Sequence, residues 1–296
     1  MTQLLSKLQY KNCEPGEFVD AHKRGYEETI GLIEKFPWAS ERENIVIDLT
    51  NPSVTIEGKN NDFLKFAVFF NQKYVLHYFD SAQTLFTKSF IDPKDAYEDI
   101  KNYFEQPVFD TAGFKKETTL LQRNLKHFVT QDFRYMLTTK SIWKYLLSTS
   151  GFNLIFSTVL LSVILSGGTN SANPFGLIVL SLALFIFGGG LHLMFFFSYY
   201  RYAKNKILIM SKGNDTFYFG EIDGPTKYNK KDILQYSIIK SQNNRNQFAG
   251  FAIGEIELKD GTILKIPNLM LDYTALAQKL YECPRINISR FPILYR

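Results

Sequence analysis

The chain has 296 residues, a formal net charge of +5, 45% hydrophobic residues and two cysteines. Cys13 and Cys283 lie far apart and match no metal-ligand spacing, so they predict neither a zinc site nor a disulfide framework. The charge is unevenly divided, since residues 1–112 carry a net −6 and residues 113–296 a net +11. This asymmetry predicts an acidic N-terminal domain followed by a basic body.

Residues 1–112 are expected to fold as an α+β domain, with an antiparallel meander between two helices. Apolar residues at helical spacing predict the first helix over 17–36. The second helix is expected after Asp92, which suits the N-cap, with Pro93 at the first helical position. Between them, runs rich in aromatic and β-branched residues predict strands at 44–48, 53–57, 63–70, 73–80 and 84–90.

The next segment, residues 113–142, has the pattern of a basic amphipathic helix. Leu121, Leu125 and Phe128 recur at helical spacing, and lysines and arginines lie on the other side. Two placements stay open at this point. The helix lies in the headgroup region of an adjacent membrane, where basic side chains are favourable, or its apolar stripe packs on the soluble domains.

A stretch of 56 residues from Tyr145 to Tyr200 contains no Asp, Glu, Lys or Arg. A bilayer core of roughly 30 Å needs about 20 apolar helical residues. Two such runs, 145–166 and 174–198, are separated by a polar turn. The sequence therefore predicts a two-helix transmembrane hairpin over 143–200.

Basic residues flank both ends of this stretch and are absent from its turn, which predicts a bacterial inner-membrane location with both termini in the cytoplasm. Small residues in both runs predict close helix packing and offer faces for a homo-oligomer. His192 is the ionisable side chain within the stretch. It is either a proton or ligand site, or a hydrogen-bonding group near the cytoplasmic end.

The remaining residues, 201–296, predict a small β-rich domain with strands at 206–211 and 216–222, and residues 231–240 predict either a further strand or a short turn that leads into one. Residues 254–267 form a clear hairpin pattern in which Gly261 takes the left-handed position of the turn. Asp272 is placed to cap a final amphipathic helix. Several antiparallel strands followed by one helix are typical of a β-barrel like that of the pleckstrin-homology (PH) domain.

Residues 145–282 resemble the membrane-anchored bacterial PH-like proteins. The features that carry the resemblance are the charge-free stretch, the basic exit after Tyr200, the Tyr228–Ile233 segment, the Leu258–Pro267 hairpin and the final helix. The resemblance implies a PH-like fold and a membrane location. It carries over no catalytic residues, because that family shares none. Residues 1–112 lie outside it.

Candidate binding residues are the cations of this last domain. The polar run 240–247 contains two of them, and it is either a ligand loop or a solvated, flexible loop. As a ligand loop it would bind lipid headgroups or a protein partner through Lys227, Lys230, Lys231, Lys240 and Arg245.

No phosphate-binding loop, metalloprotease motif, serine-hydrolase motif or Cys/His cluster is found, so no metal and no cofactor are expected. Nucleic-acid binding is not expected either, because no recognition-helix pattern occurs. These absences favour a non-enzymatic inner-membrane protein that presents two cytoplasmic binding domains to a protein or lipid partner. The alternatives are an immunity protein that blocks a toxin at the cytoplasmic face, and a subunit of a membrane enzyme or transporter that uses His192.

Overall fold

The computed structural model divides into two compact units. The first contains Met1–Asp132 together with Ser211–Gly213, and the second contains Phe133–Met210 and Asn214–Arg296. The first unit therefore extends about 20 residues beyond the domain end expected at residue 112. The structure describes residues 2–117, 125–146, 155, 158–159, 162, 166, 174–185, 190–240, 250–289 and 292–294.

The first unit is built on a seven-stranded antiparallel sheet with the order β2-β1-β3-β4-β5-β6-β7. Its strands are β1 (Leu4–Gln9), β2 (Val19–Arg24), β3 (Ser53–Glu57), β4 (Phe63–Val68), β5 (Tyr74–Phe79), β6 (Leu85–Phe90) and β7 (Lys115–Lys116). Its helices are α1 (Tyr26–Lys35), α2 (Trp38–Glu41) and α3 (Tyr97–Glu105).

The predicted meander is confirmed over β3 to β6, which pair as consecutive antiparallel neighbours. Asp92 is confirmed as a cap, since its side chain accepts a hydrogen bond from the Lys94 backbone N–H at 2.9 Å; it caps a 3-10 turn (Pro93–Ala96) that leads directly into α3. The helix expected over 17–36 begins only at Tyr26, because residues 19–24 pair with β1 as a strand. Residues 44–48 form no strand.

The helices pack on one face of the sheet and bury a core rich in aromatic side chains. Trp38 lies at its centre, with ring centroids 4.4 Å from Phe36, 5.2 Å from Phe66 and 5.6 Å from Tyr74. Its indole N–H donates to the Ile33 carbonyl at 2.7 Å, so the polar edge of the ring is satisfied within the core.

Residues 113–142 differ from the single amphipathic helix expected there. Their described parts form β7, a 3-10 turn (Leu125–His127), strand β8 (Arg134–Met136) and the start of helix α4 (Thr139–Leu146), while 118–124 lie outside the described residues. Phe128 is fully buried and stacks on Phe79 at 4.9 Å between ring centroids. This part of the apolar stripe therefore enters the core of the first unit.

The second unit contains two four-stranded sheets with the orders β11-β10-β9-β8 and β14-β13-β12-β15. The strands after β8 are β9 (Lys206–Ile209), β10 (Thr216–Glu221), β11 (Thr226–Asn229), β12 (Ile233–Lys240), β13 (Ala252–Leu258), β14 (Ile263–Pro267) and β15 (Arg285–Ser289). Helices in this unit are α4 (Thr139–Leu146), α5 (Pro174–Phe185), α6 (Leu191–Ala203) and α7 (Tyr273–Lys279).

The predicted hairpin is confirmed as β13 and β14. Gly261 in its turn has a φ of +86°, a left-handed conformation that glycine adopts without steric cost. Glu255 faces Lys265 across the strands, with 3.8 Å between the carboxylate and ammonium groups. Asp272 caps α7 by accepting a hydrogen bond from the Thr274 backbone N–H at 2.9 Å.

The predicted transmembrane hairpin is wrong. Among the residues that the structure describes, no helix combines the length and apolar character needed to cross a bilayer. In the second predicted span, α5 has 12 residues and α6 has 13. At 1.5 Å per residue each is roughly 20 Å long or less, against a bilayer core of roughly 30 Å.

Two further predictions rested on that hairpin. The two-span inner-membrane location is contradicted by the same finding. The close helix packing through small residues stays a prediction, because most of the first predicted span (145–166) lies outside the described residues, although Ser162 is among the described ones. On α6, Phe196 and Tyr199 are buried in a cluster with Phe251, and the Tyr199 hydroxyl donates to the Pro292 carbonyl at 2.6 Å. Side-chain packing within the second unit therefore covers this face of the apolar run.

Close packing of α7 on β13 depends on Gly254. A Cβ at this position would lie 2.2 Å from Leu276 Cδ2, and Leu276 is itself only 1% exposed. Gly254→Ala is therefore expected to lower the free energy of unfolding by about 1–3 kcal/mol in urea titration. Gly224→Ala is the matched control, because no heavy atom lies within 4 Å of its added Cβ. Equal stability of both variants would contradict this packing.

Candidate functional site

One end of the second unit contains an open cavity of about 670 Å³. We call this end the β11 pole. It is formed by β10, β11, the 3-10 turn that follows β11, and the turn between β13 and β14. The lining residues are Thr216, Thr226, Lys227, Tyr228, Asn229, Asp232, Leu258, Lys259 and Asp260.

The local sequence after β11 positions the lysines of this pole. The Asn229 side chain accepts a hydrogen bond from the Lys231 backbone N–H at 2.9 Å and so caps the 3-10 turn. The Lys230 backbone N–H donates to the Asp215 carbonyl at 2.7 Å, which holds the turn against the start of β10. Lys227 is exposed on β11, opposite Tyr218 of β10. Three predicted cations are thus brought to one end of the unit.

Carboxylates lie among these lysines. The Lys231 ammonium is 2.9 Å from an Asp215 carboxylate oxygen, and this hydrogen bond lowers the pKa of Asp215 and raises that of Lys231. Lys259 donates to the Lys231 carbonyl at 2.7 Å. Asp232 and Asp260 add two more carboxylates to the lining. The pole is therefore a surface of mixed charge, and solvent screens its ion pair.

The antiparallel strands that precede the amphipathic helix α7 agree with the PH-like order expected from the sequence, whereas β15 follows the helix and pairs in parallel with β12. Residues 134–279 match the family model described as a PH domain. The predicted resemblance is confirmed for this region, and the N-terminal part of the chain is not matched. Neither curated proteins nor solved structures give a match. A PH-like domain indicates a binding or interaction module.

The other two predicted cations of the PH domain are not placed at the β11 pole. Lys240 ends β12, seven residues from Ile233, so it lies roughly 20 Å along the strand from the pole. Its ammonium is 5.1 Å from the centroid of the Tyr273 ring. Arg245 lies outside the described residues. The described part of the predicted set is therefore divided between the two ends of β12.

His192 on α6 is 3% exposed. Its Nε2 lies 3.3 Å from the Tyr145 carbonyl, and its ring centroid is 4.8 Å from that of Phe251. These contacts make it part of the packing between α4, α6 and the start of β13. Among the described residues, no group of three or more His, Cys, Asp or Glu side chains is placed to bind a metal ion.

The first unit contains a polar feature that the sequence did not predict. Lys7, Thr55, Lys65 and His77 lie opposite one another on β1, β3, β4 and β5 and form one continuous row across the sheet. All four side chains are buried, and the two lysines have no exposed surface. We call this set the buried polar row. It lies on the sheet face opposite the aromatic core, since side chains alternate between faces.

Lys65 is held by three oxygen acceptors. Its ammonium donates to the Leu49 carbonyl at 2.6 Å, to Gln9 Oε1 at 2.7 Å and to the His127 carbonyl at 3.1 Å. These three bonds match its three N–H donors. Lys7 is 3.4 Å from the Glu57 carboxylate and 4.4 Å from the centroid of the Phe18 ring. The row therefore links β1 and β4 to the segments that cover them.

Burial shifts the pKa values of this row. Desolvation by burial, which Asp48 opposes and the neighbouring Lys7 reinforces, lowers the pKa of Lys65 to about 7. Burial is the main cause that lowers the pKa of His77 to about 3, and the positive charge of Lys65 lowers it in the same direction. Among the described residues, Thr55 Oγ1 and His77 Nδ1 have no hydrogen-bond partner.

The sequence contained only a weak signal for this row. In a meander with one solvated face, a lysine between apolar residues such as Leu64 and Phe66 is expected to point to solvent. That face is instead covered by Leu49, Phe128 and neighbouring residues, which come from distant parts of the chain. Their contact depends on the tertiary fold, so local alternation does not reveal the burial.

Proposed function

We propose that the PH domain is a non-enzymatic protein-binding module whose partner binds at the β11 pole. The mixed charge of this pole is the observation that supports the proposal. Two lysines and two aspartates line the open cavity, and Lys231 is paired with Asp215 at 2.9 Å. Protein interfaces have polar rims with charges of both signs, which steer a complementary partner.

A lipid headgroup is the runner-up ligand and has less support. Tight recognition of a phosphate favours several cations that converge on one anion through charge-assisted hydrogen bonds. At the β11 pole, by contrast, Asp232 and Asp260 share the cavity lining with Lys227 and Lys259. These carboxylates would repel a phosphate group, whereas they provide acceptors for the basic and amide groups of a protein partner.

The test combines copurification from native cells with a charge reversal at the pole. Lys227→Glu is expected to weaken capture of a discrete protein about tenfold, because it places a like charge against the acidic groups of the partner. Lys59→Glu reverses an exposed lysine in the first unit and serves as the control. Mass spectrometry of proteins and lipids identifies what each variant retains.

Three results would contradict the proposal. One is capture of the same protein by Lys227→Glu and wild type alike. Another is binding of anionic phospholipid vesicles that Lys227→Glu abolishes, with no protein partner retained, which would favour the headgroup interpretation. Catalytic turnover by the purified chain would argue against the non-enzymatic assignment.

A further inference from the structure

A second cavity in the PH domain, of about 830 Å³, lies beside α6. It is at the opposite end of β10 from the β11 pole, since Glu221 ends that strand and Thr216 begins it. We call it the α6 groove. Its described lining consists of Met194, Phe197, Ser198, Arg201, Tyr202, Lys206, Glu221 and Leu294.

The character of this groove changes along the helix. Met194 and Phe197, near the start of α6, are large apolar side chains that remain 65% and 56% exposed. Arg201 and Lys206 follow toward the other end. With a rise of 1.5 Å per residue, Arg201 lies roughly 10 Å along the axis from Met194. The groove is therefore apolar at one end and cationic at the other.

The charge of the cationic end is partly balanced. Lys206 lies with its ammonium 3.6 Å from the centroid of the Tyr202 ring and 5.7 Å from that of Phe219. Partial burial lowers the pKa of Lys206, and the charge of Glu221 opposes that shift. Among the described lining residues, Arg201 and Lys206 against Glu221 leave a single excess positive charge, which is complementary to a monoanion.

We propose that the α6 groove binds the anion of a medium-chain fatty acid such as laurate. Its alkyl chain lies along Met194 and Phe197, and its carboxylate lies between Arg201 and Lys206. The volume is within the range of roughly 300–1,000 Å³ that is usual for small-molecule sites. The guanidinium group of arginine suits a carboxylate because it donates two parallel hydrogen bonds. This ligand and site are additional to the partner proposed at the β11 pole.

The experiment is a titration of the full chain with carboxyl-¹³C-labelled laurate, followed by NMR and calorimetry. Wild type is expected to bind laurate and to shift its carboxyl resonance. Arg201→Gln and Lys206→Gln should each weaken binding about tenfold, which corresponds to the loss of one charge-assisted hydrogen bond. Lys204→Gln is the matched control, because Lys204 is exposed at the end of α6 and does not line the groove.

Two further ligands distinguish the contribution of the alkyl chain to binding from the contribution of the charged head group. Dodecyl maltoside, which has the same alkyl chain and no charge, is expected to bind more weakly than laurate. The proposal is overturned if laurate fails to bind, if dodecyl maltoside binds equally well, or if Arg201→Gln binds laurate as tightly as Lys204→Gln does. Binding of lysophosphatidate without laurate would also overturn it, by assigning the groove to a phosphate head. Circular dichroism of each variant excludes loss of fold as the cause.

Discussion

Raising the pH from 7 to 8.5 is expected to stabilise the first unit by about 2 kcal/mol through Lys65 alone. Burial lowers the pKa of this lysine to about 7 in the folded chain, from its ordinary 10.5. Between these values the unfolded state binds more protons than the folded state, so the free energy of unfolding rises with pH. Well below pH 7 both states carry the proton, and the contribution of Lys65 to the slope disappears.

The measurement uses urea unfolding at several pH values in a Trp143→Phe background. Trp38 is then the sole tryptophan, and its fluorescence reports on the core of the first unit. Lys65→Met should remove the rise of about 2 kcal/mol, whereas Lys59→Met, at an exposed lysine, should retain it. The comparison is made between variants because Cys13, whose pKa burial raises to about 12, adds an opposing slope above pH 8. If the free energy of unfolding rises with pH as steeply in Lys65→Met as in Lys59→Met, the buried Lys65 amine does not lose its proton in this pH range, and the prediction is wrong.

Phe251→Ala is expected to destabilise the PH domain by about 3–5 kcal/mol. Phe251 is 1% exposed and lies at the centre of an aromatic cluster. Its ring centroid is 4.8 Å from that of His192, 5.0 Å from that of Tyr199 and 5.7 Å from that of Tyr145. Removing the ring leaves a cavity between α4, α6 and β13 that these large neighbours cannot fill without leaving their own contacts.

Hydrogen exchange measured by mass spectrometry shows which part of the domain is destabilised. Peptides that cover β13 should lose protection in Phe251→Ala, and Phe251→Leu should lose less because it fills most of the space. Ile263→Ala is the control, since Ile263 on β14 is 56% exposed and its truncation leaves no buried cavity. Equal protection in Phe251→Ala and the control would show that the cluster does not hold α6 on the domain.

The sequence indicated which candidate site residues lie together only where residues close in the chain fix their positions. Lys227, Lys230 and Lys231 are adjacent in sequence, and the Asn229 cap brings them to one end of the domain. Lys240 was grouped with them by charge alone. The eight residues of β12 place it at the other end of that strand, because an extended chain rises about 3.3 Å per residue.

The fold was predicted best where periodic pattern and turn chemistry agree. The meander β3–β6 and the Gly261 hairpin are confirmed because alternation and a left-handed glycine constrain the backbone locally. β1 was missed because it pairs with β3, more than 40 residues away, and such pairing leaves no short-range pattern in the sequence. β2 is an edge strand that pairs locally with β1, and it was missed because its residues are mostly exposed and show no alternation of apolar and polar side chains.

The sequence by itself indicated the PH-like resemblance, expected over 145–282 and matched over 134–279, together with the caps at Asp92 and Asp272 and the charges available at the β11 pole. Only the tertiary structure decided which side chains are buried. It placed Lys65 in the interior, with three oxygen acceptors for its ammonium, and packed Tyr199 of the apolar run against Phe251. Hydrophobicity and charge are properties of single residues, whereas burial depends on segments that meet only when the chain folds.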